Sequence, residues 1–262
     1  MPAPPKTPPP APGRIRWLSR RAECRLAQAE WLSLAAEVSP ASIDLIYVDP
    51  PFNTGLTRRG RLGSFNDTFG SAASHAAWLR PRIAAALPLL KPTGSILLHL
   101  DQRTSHHARL LLDELMGESH FVNHLIWSYG LGGSSPRRFA RKHDDILFYA
   151  ADPARYYFAP PMVPSTSRRM AGRPKKATDV LQIASINNLS SERTGYPTQK
   201  PLALLAMLVD ACCPPRGTVF DPCCGSGTTL VAALRSGRAA IGGDISEVAV
   251  QTAMQRLGIR EQ

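Results

Sequence analysis

Two short segments of this 262-residue chain carry residues whose types and order could do chemistry. The first is Asp49-Pro50-Pro51-Phe52-Asn53. An exocyclic amino group on a nucleobase is a poor nucleophile, because its lone pair is delocalised into the ring. A carboxylate such as Asp49 and a carbonyl such as that of Pro50 could accept its two hydrogens and turn the lone pair toward an electrophile. Pro50 and Pro51 fix φ and remove N–H donors that would compete. Phe52 could stack on a base swung out of a duplex, worth ~1–3 kcal/mol. The competing reading is a Pro-Pro turn with an aspartate cap and a core phenylalanine.

The second segment is Asp221-Pro222-Cys223-Cys224-Gly225-Ser226-Gly227-Thr228-Thr229. Its glycines let backbone approach a ligand closely, and the helix it opens offers free N–H donors. Asp244, 19 residues after Gly225, is placed to accept both hydroxyls of a ribose. No Gly-Lys-Ser/Thr follows, which excludes a phosphate-binding loop, and the third glycine of the dinucleotide fingerprint is absent. A merely tight strand–helix turn is the bland alternative. Cys223 and Cys224 could be misread as nucleophiles, but they stand in the Gly-rich turn and not beside the Asp-Pro-Pro segment.

Both turns need elements to hold them. Asp44–Val48 and Ser95–Leu100 are short, apolar, β-favouring runs, and further strands are expected at Val122–Trp127, Ile146–Tyr149, Thr218–Phe220 and Ala239–Gly242. Helices are expected over Ser74–Leu90 (kinked or divided by Pro81 and Pro88), Ser105–Met116, Pro201–Ala211, Thr228–Ser236 and Glu247–Leu257. Thr54–Gly70 reads as a mobile loop, and 151–195 shows no periodicity. Strands alternating with helices imply an α/β fold with a largely parallel sheet covered on both faces. Residues 1–13 are mostly Pro, Ala and Lys, so order is expected to begin near Trp17.

Lys and Arg number 31 against 20 Asp and Glu, a net charge of +11, which favours a polyanionic partner. The cations cluster in loop-like stretches: Arg58, Arg59 and Arg61; Arg137, Arg138, Arg141 and Lys142; and Arg168, Arg169, Arg173, Lys175 and Lys176. These are candidates for gripping a nucleic-acid backbone, a solvated charged face being the alternative for any one of them. The five cysteines lack the two-to-four-residue spacing of a zinc site, and no metal is expected. With neither a signal-like apolar start nor a run of ~20 apolar residues, a cytoplasmic enzyme is the expectation.

In this arrangement of motifs the chain resembles the β-class amino-methyltransferases of DNA, which include type III modification subunits and solitary bacterial adenine methyltransferases. Members carry the catalytic motif first, then a target-recognition region, then the cofactor motif, as here. Tyr196-Pro197-Thr198-Gln199-Lys200-Pro201 looks like the family's His-Pro-Thr-Gln-Lys-Pro element, and Lys142-His143-Asp144 is also family-like. The resemblance runs from about Arg21 to Leu257. Departures are Tyr196 for histidine, Cys223-Cys224 where a phenylalanine and a small residue are commoner, and Ala29-Glu30 for the usual Gly-Asp. Glu30 could take that aspartate's place or belong to an amphipathic helix.

The resemblance implies a doubly wound, mostly parallel, seven-stranded Rossmann-like sheet, circularly permuted, with a small target-recognition insert. It implies a single domain over 17–257 after a tail of 1–16, with recognition by 151–195 and loop 131–142. It implies S-adenosyl-L-methionine as methyl donor and double-stranded DNA as substrate, with Asp49, Pro50, Pro51 and Phe52 catalytic. Asp221, Cys223, Gly225, Ser226, Gly227, Thr228 and Asp244 would line the cofactor, and Thr198 and Lys200 would lie near its methionine end. His99 and Asp101 face the crevice by position and are read as structural. The initial Asp of Asp-Pro-Pro-Phe favours N6 of adenine, with N4 of cytosine as the alternative. An RNA amino-methyltransferase or a silent nucleic-acid-binding module are the readings from other classes. Relatives often dimerise and some serve a restriction endonuclease; the sequence leaves both partners open.

Overall fold

The computed structural model describes residues 15–60, 63–130, 134–187 and 189–259. The chain opens with an antiparallel hairpin, β1 (Arg16–Arg20) and β2 (Cys24–Gln28), followed by helix α1 (Trp31–Ala36) and strand β3 (Ile43–Val48). A second hairpin, β4 (Leu56–Gly60) and β5 (Gly63–Asp67), leads to α2 (Ala72–Ala86), β6 (Leu90–Leu100) and α3 (Ser105–Met116). Then come β7 (Phe121–Ser128), β8 (His143–Ala150), the short strands β9 (Met162–Pro164), β10 (Pro174–Lys176) and β11 (Val180–Gln182), and α4 (Leu202–Cys212). Strand β12 (Thr218–Asp221), α5 (Thr228–Arg235), β13 (Ala239–Asp244) and α6 (Glu247–Leu257) complete it.

The main sheet has nine strands in the order β1-β2-β13-β12-β3-β6-β8-β7-β11. The seven from β2 to β7 form the expected Rossmann-like core, and β1 and β11 are added at its edges. Strands β2, β13, β12, β3 and β6 are mutually parallel, whereas β8 is antiparallel to both neighbours. Because side chains alternate across a strand, Leu45 and Tyr47 face one layer while Ile46 and Val48 face the other. The first layer packs on α4, α5 and α6 through Leu204, Leu208, Leu230 and Val250; the second packs on α1, α2 and α3 through Leu34, Leu79, Ile83 and Leu111. Each fully buried Leu or Ile contributes about 1.5–3 kcal/mol, so β3, buried throughout, is strongly held.

The topology explains why the two turns meet. From β3 the chain runs outward through β6 on one side; from β12 it runs outward through β13 on the other. Strands β3 and β12 are neighbours, paired Leu45 to Val219 and Ile46 to Phe220, so the crevice above their carboxyl ends is a topological switch point. Asp49 leaves the end of β3 and Asp221 closes β12.

Four expectations are corrected. Thr54–Gly70 holds the β4–β5 hairpin instead of a mobile loop, because Asp67 ties its two ends together: its Oδ1 accepts from the Asn53 N–H, its Oδ2 from the Thr54 hydroxyl, and its carbonyl from the Gly55 N–H. The Pro-rich start gives way to β1 at Arg16, one residue inside the expected tail. Pro81 does not divide α2; the helix continues to Ala86 and a short 3-10 turn carries Pro88. Residues 151–195 contain the β9–β10 hairpin and β11, which pairs parallel with β7. Among the described residues no helix is long and apolar enough to cross a membrane, and no cluster of three metal-ligating side chains occurs.

Candidate active site

The carboxyl-end crevice is a cavity of about 600 Å³. Asp49, Pro50, Pro51 and Phe52 line it from the β3 side; Asp221, Cys223, Gly225, Ser226, Thr228 and Asp244 line it from the β12 side; Thr198 and Lys200 close it from the segment before α4. Residues more than 150 positions apart in sequence therefore share one pocket. Gly227 is the exception among the expected lining residues. It caps α5 in the left-handed region (φ 76°), and a Cβ there would stand 2.8 Å from that of Ala253, so its smallness serves packing against α6.

The Asp-Pro-Pro-Phe turn is held from three directions. The Lys200 ammonium donates to both carboxylate oxygens of Asp49 at 2.7 Å and lies 4.8 Å from the centre of the Phe52 ring. The Pro51 carbonyl is 2.7 Å from His75 Nε2 of α2, which fixes that nitrogen as the N–H donor. Burial lowers the His75 pKa, against the opposing effect of the Pro51 carbonyl, and favours the neutral ring that this tautomer needs. Asn53 takes a left-handed conformation (φ 57°), held by Asp67 and by its own Oδ1, which accepts from the Phe69 N–H at 2.8 Å.

Behind Phe52 lies a buried polar chain. His99 Nδ1 is 2.7 Å from the Tyr47 hydroxyl and its Nε2 is 3.3 Å from Asp144 Oδ2. Burial alone would raise the Asp144 carboxyl, but the hydrogen bond from His99 and the Lys200 charge hold it below the ordinary range. The carboxylate accepts from His99 Nε2–H, which leaves Nδ1 to accept from Tyr47. The His99 ring packs 5.9 Å from that of Phe52, so this histidine supports the floor of the site. Asp101 lines the cavity and pairs with Arg103.

On the other wall, the Gly225 N–H donates to Asp244 Oδ2 at 3.0 Å, and Arg256 of α6 reaches across to the Ser226 carbonyl at 2.9 Å and the Thr228 hydroxyl at 2.8 Å. Burial, aided by the Asp49 and Asp244 charges, pushes the Asp221 carboxyl up to about 7; burial pushes that of Asp244 to about 6. Burial and then the neighbouring carboxylates drive the Cys223 and Cys224 thiols well above their usual range, so neither is a ready thiolate. Glu30 lines the cavity as the N-cap of α1: its Oε2 accepts from the Leu32 N–H and its Oε1 pairs with Arg82. The buried indole N–H of Trp31, also on the cavity wall, has no hydrogen-bond partner among the described residues. The motif Tyr196–Pro201 is closed by Gln199, which accepts from Thr194 and donates to the Glu192 carbonyl, so that Lys200 is aimed inward.

Of the expected nucleic-acid-binding cations among the described residues, Arg141 reaches the cavity wall. Arg137, Arg138, Arg168 and Arg169 are exposed, and Lys142 is half-buried. Arg58 and Arg59 fall on β4, and Arg61 lies outside the described residues. Sequence reasoning missed Asp67, His75 and Arg256; each acts across 14 to 30 residues, with no local motif to mark it.

Residues 43–255 match the sequence pattern of a DNA methylase family that groups N6 and N4 enzymes. The chain is 28% identical to the type II methyltransferase M.ScaI of Streptomyces caespitosus, covering 90% of this chain and 82% of that protein. It is 26% identical to the DNA adenine methyltransferase YhdJ of Escherichia coli K12, covering 89% and 81%. The fold superposes on the structure of an M1.HpyAVI–SAM complex with a TM-score of 0.65 and 23% identity, covering 89% of this chain and 98% of the other. With a match that extends over most of its length, the chain belongs to the N6/N4 DNA methylase family.

Proposed function

We propose that this protein transfers a methyl group from S-adenosyl-L-methionine to the N6 amino group of adenine within a specific sequence of double-stranded DNA. One observation carries the reading: Asp49 and Phe52 share a cavity with the Asp221–Thr228 turn and Asp244. That cavity fits the donor in size and in charge. A nucleoside joined to an amino acid fills about this volume, and three carboxylates, Asp49, Asp221 and Asp244, suit a cationic ligand. Asp244 takes the ribose, the Ser226–Thr228 backbone and Trp31 take polar edges, and Thr198 lies toward the amino-acid end.

The bound donor supplies an electrophilic methyl group on a sulfonium that leaves as a neutral thioether. The chain's own residues present the amine. Asp49 accepts one amino hydrogen; its oxygens keep lone pairs beyond the two bonds from Lys200. The Pro51 carbonyl is held by His75, and the Pro50 carbonyl takes the second hydrogen. Phe52 stacks on the extruded base. As the nitrogen gains its methyl, it sheds a proton to Asp49 or to solvent. Positioning and electrostatics do the work, with no covalent enzyme intermediate. Exposed Arg137, Arg138, Arg168 and Arg169 grip phosphates, and the 134–142 loop with the β9–β10 region reads sequence.

Adenine is supported by the Asp at position 49 and by likeness to an adenine methyltransferase. The test is transfer of labelled methyl to plasmid DNA, digestion to nucleosides and mass spectrometry. N6-methyl-2′-deoxyadenosine is the expected product, lost in Asp49→Ala while donor binding stays within a few-fold. N4-methyl-2′-deoxycytidine would move the reading to cytosine, and label in RNA alone would overturn it.

A further inference from the structure

Phe139 is 98% exposed, the most exposed large apolar side chain among the described residues. It sits in Arg137-Arg138-Phe139-Ala140-Arg141, within two residues of three arginines, in the loop joining β7 to β8. Topology decides where that loop lies. Strand β8 runs antiparallel to β6, with Asp145 paired to Leu100, so its first residues stand at the carboxyl end of β6, beside the crevice. The loop ends are tied by the Ser128–His143 pair and by the Tyr129 N–H bonding the Lys142 carbonyl at 3.1 Å. Asp144, Tyr129 and Arg141 line the cavity itself. Phe139 is two residues from Arg141, at most about 7 Å of backbone. A bare aromatic ring thus stands within two residues of the cavity wall, flanked by arginines.

We propose that Phe139 is a wedge: its ring enters the DNA stack and occupies the gap left when the target base turns out toward Phe52. The inference rests on the DNA-methylating reading above. A vacated position leaves two neighbouring base pairs without stacking partners, and an inserted apolar side chain restores that contact. The flanking guanidiniums hold the phosphates on either side, which puts the ring in register with the stack. Self-association through the same patch is disfavoured: a second copy would bring three arginines against three arginines on a chain of net charge +11.

The experiment compares wild type, Phe139→Ala and Phe139→Trp in single-turnover methylation. The duplex carries the site identified by modified-base sequencing of DNA from a host expressing the protein. A second duplex differs in having the target base mispaired, so that extrusion needs little help. Phe139→Ala is expected to slow transfer on the paired duplex by about tenfold or more and to recover to within about threefold on the mispaired one. Phe139→Trp stays near wild type, and donor binding is unchanged in both variants. An unchanged rate on the paired duplex, or an equal loss on both duplexes, overturns the wedge. So does a change in solution mass in Phe139→Ala, which would make the residue a self-association contact. A wild-type protein that methylates neither duplex removes the parent reading, and the wedge with it.

Discussion

Lys200 and Asp49, 151 residues apart, form a two-pronged ion pair, with Nζ 2.7 Å from each carboxylate oxygen and side chains only 12% and 17% exposed. The pair joins the segment before α4 to the end of β3 and sets the orientation of the carboxylate that we assign to the target amine. Removing one partner of a buried pair leaves the other charge uncompensated. Lys200→Met should therefore lower single-turnover methylation by about tenfold to a hundredfold and lower the melting temperature by several degrees, reflecting about 2 kcal/mol. Donor affinity measured by calorimetry should change less than the rate. A variant with unaltered rate would show that Lys200 does not set the carboxylate.

Asp67 and His75 act on the same turn from the opposite side. Asp67→Ala removes three acceptor contacts to Asn53 and Thr54 and leaves their donors unmet. Each lost bond of this kind costs about 1 kcal/mol, and the larger effect is on the turn's geometry. Expected is a fall in methylation at saturating donor, with donor binding within a few-fold of wild type. Equal losses of rate and of donor affinity would mean that the hairpin supports the whole cavity and not the Phe52 turn alone.

Much of this arrangement was legible in the sequence, and the reason is local. Proline and glycine punctuate the two turns, and α3 and α6 fall at the expected residues because their apolar faces recur at helical spacing. Strand β3 was legible as an unbroken apolar run, as strands covered on both faces are. The parts that escaped depend on distant partners. β1 and β2 are short, with three Arg among their ten residues, and they hold as strands because β2 adds to the edge of β13. Nothing near Arg256 in the sequence says that it braces Ser226, and nothing near His75 says that it holds Pro51.

The acidic wall makes donor binding depend on pH. Burial raises the Asp221 carboxyl from 3.8 to about 7 and that of Asp244 to about 6. The ligand-free folded chain then holds protons that the unfolded chain has released, so these groups' contribution to stability is greatest below pH 4 and is lost as pH rises toward 7. A cationic donor reverses the preference, since it favours the ionised forms. Donor affinity should rise between pH 5.5 and 7.5, with protons released on binding; calorimetry in buffers of different ionisation enthalpy measures the release. Asp221→Asn should raise the melting temperature of the free protein at pH 7.5 and flatten the pH dependence. Binding that weakens with rising pH would exclude Asp221 and Asp244 as the cation's partners.

The two glycines of the turn should separate by experiment, because different neighbours demand them. At Gly227 an added methyl would meet Ala253 Cβ at 2.8 Å, between two packed helices with no flexible end to move, and the backbone is left-handed as well. Gly227→Ala should therefore cost folding, about 2–4 kcal/mol from strain and overpacking together, and show as a lower melting temperature with or without donor. At Gly225 the nearest atom would be the Tyr196 ring at 3.2 Å, on the cavity wall. Gly225→Ala carries the left-handed strain of about 1–2 kcal/mol, but its further effect falls on the ligand: the ring of Tyr196 must shift into the space the donor uses. Donor affinity should drop by about tenfold or more in Gly225→Ala and by less in Gly227→Ala once both are compared as folded protein. If the order of the two affinities were reversed, Gly227 and not Gly225 would be the residue facing the ligand.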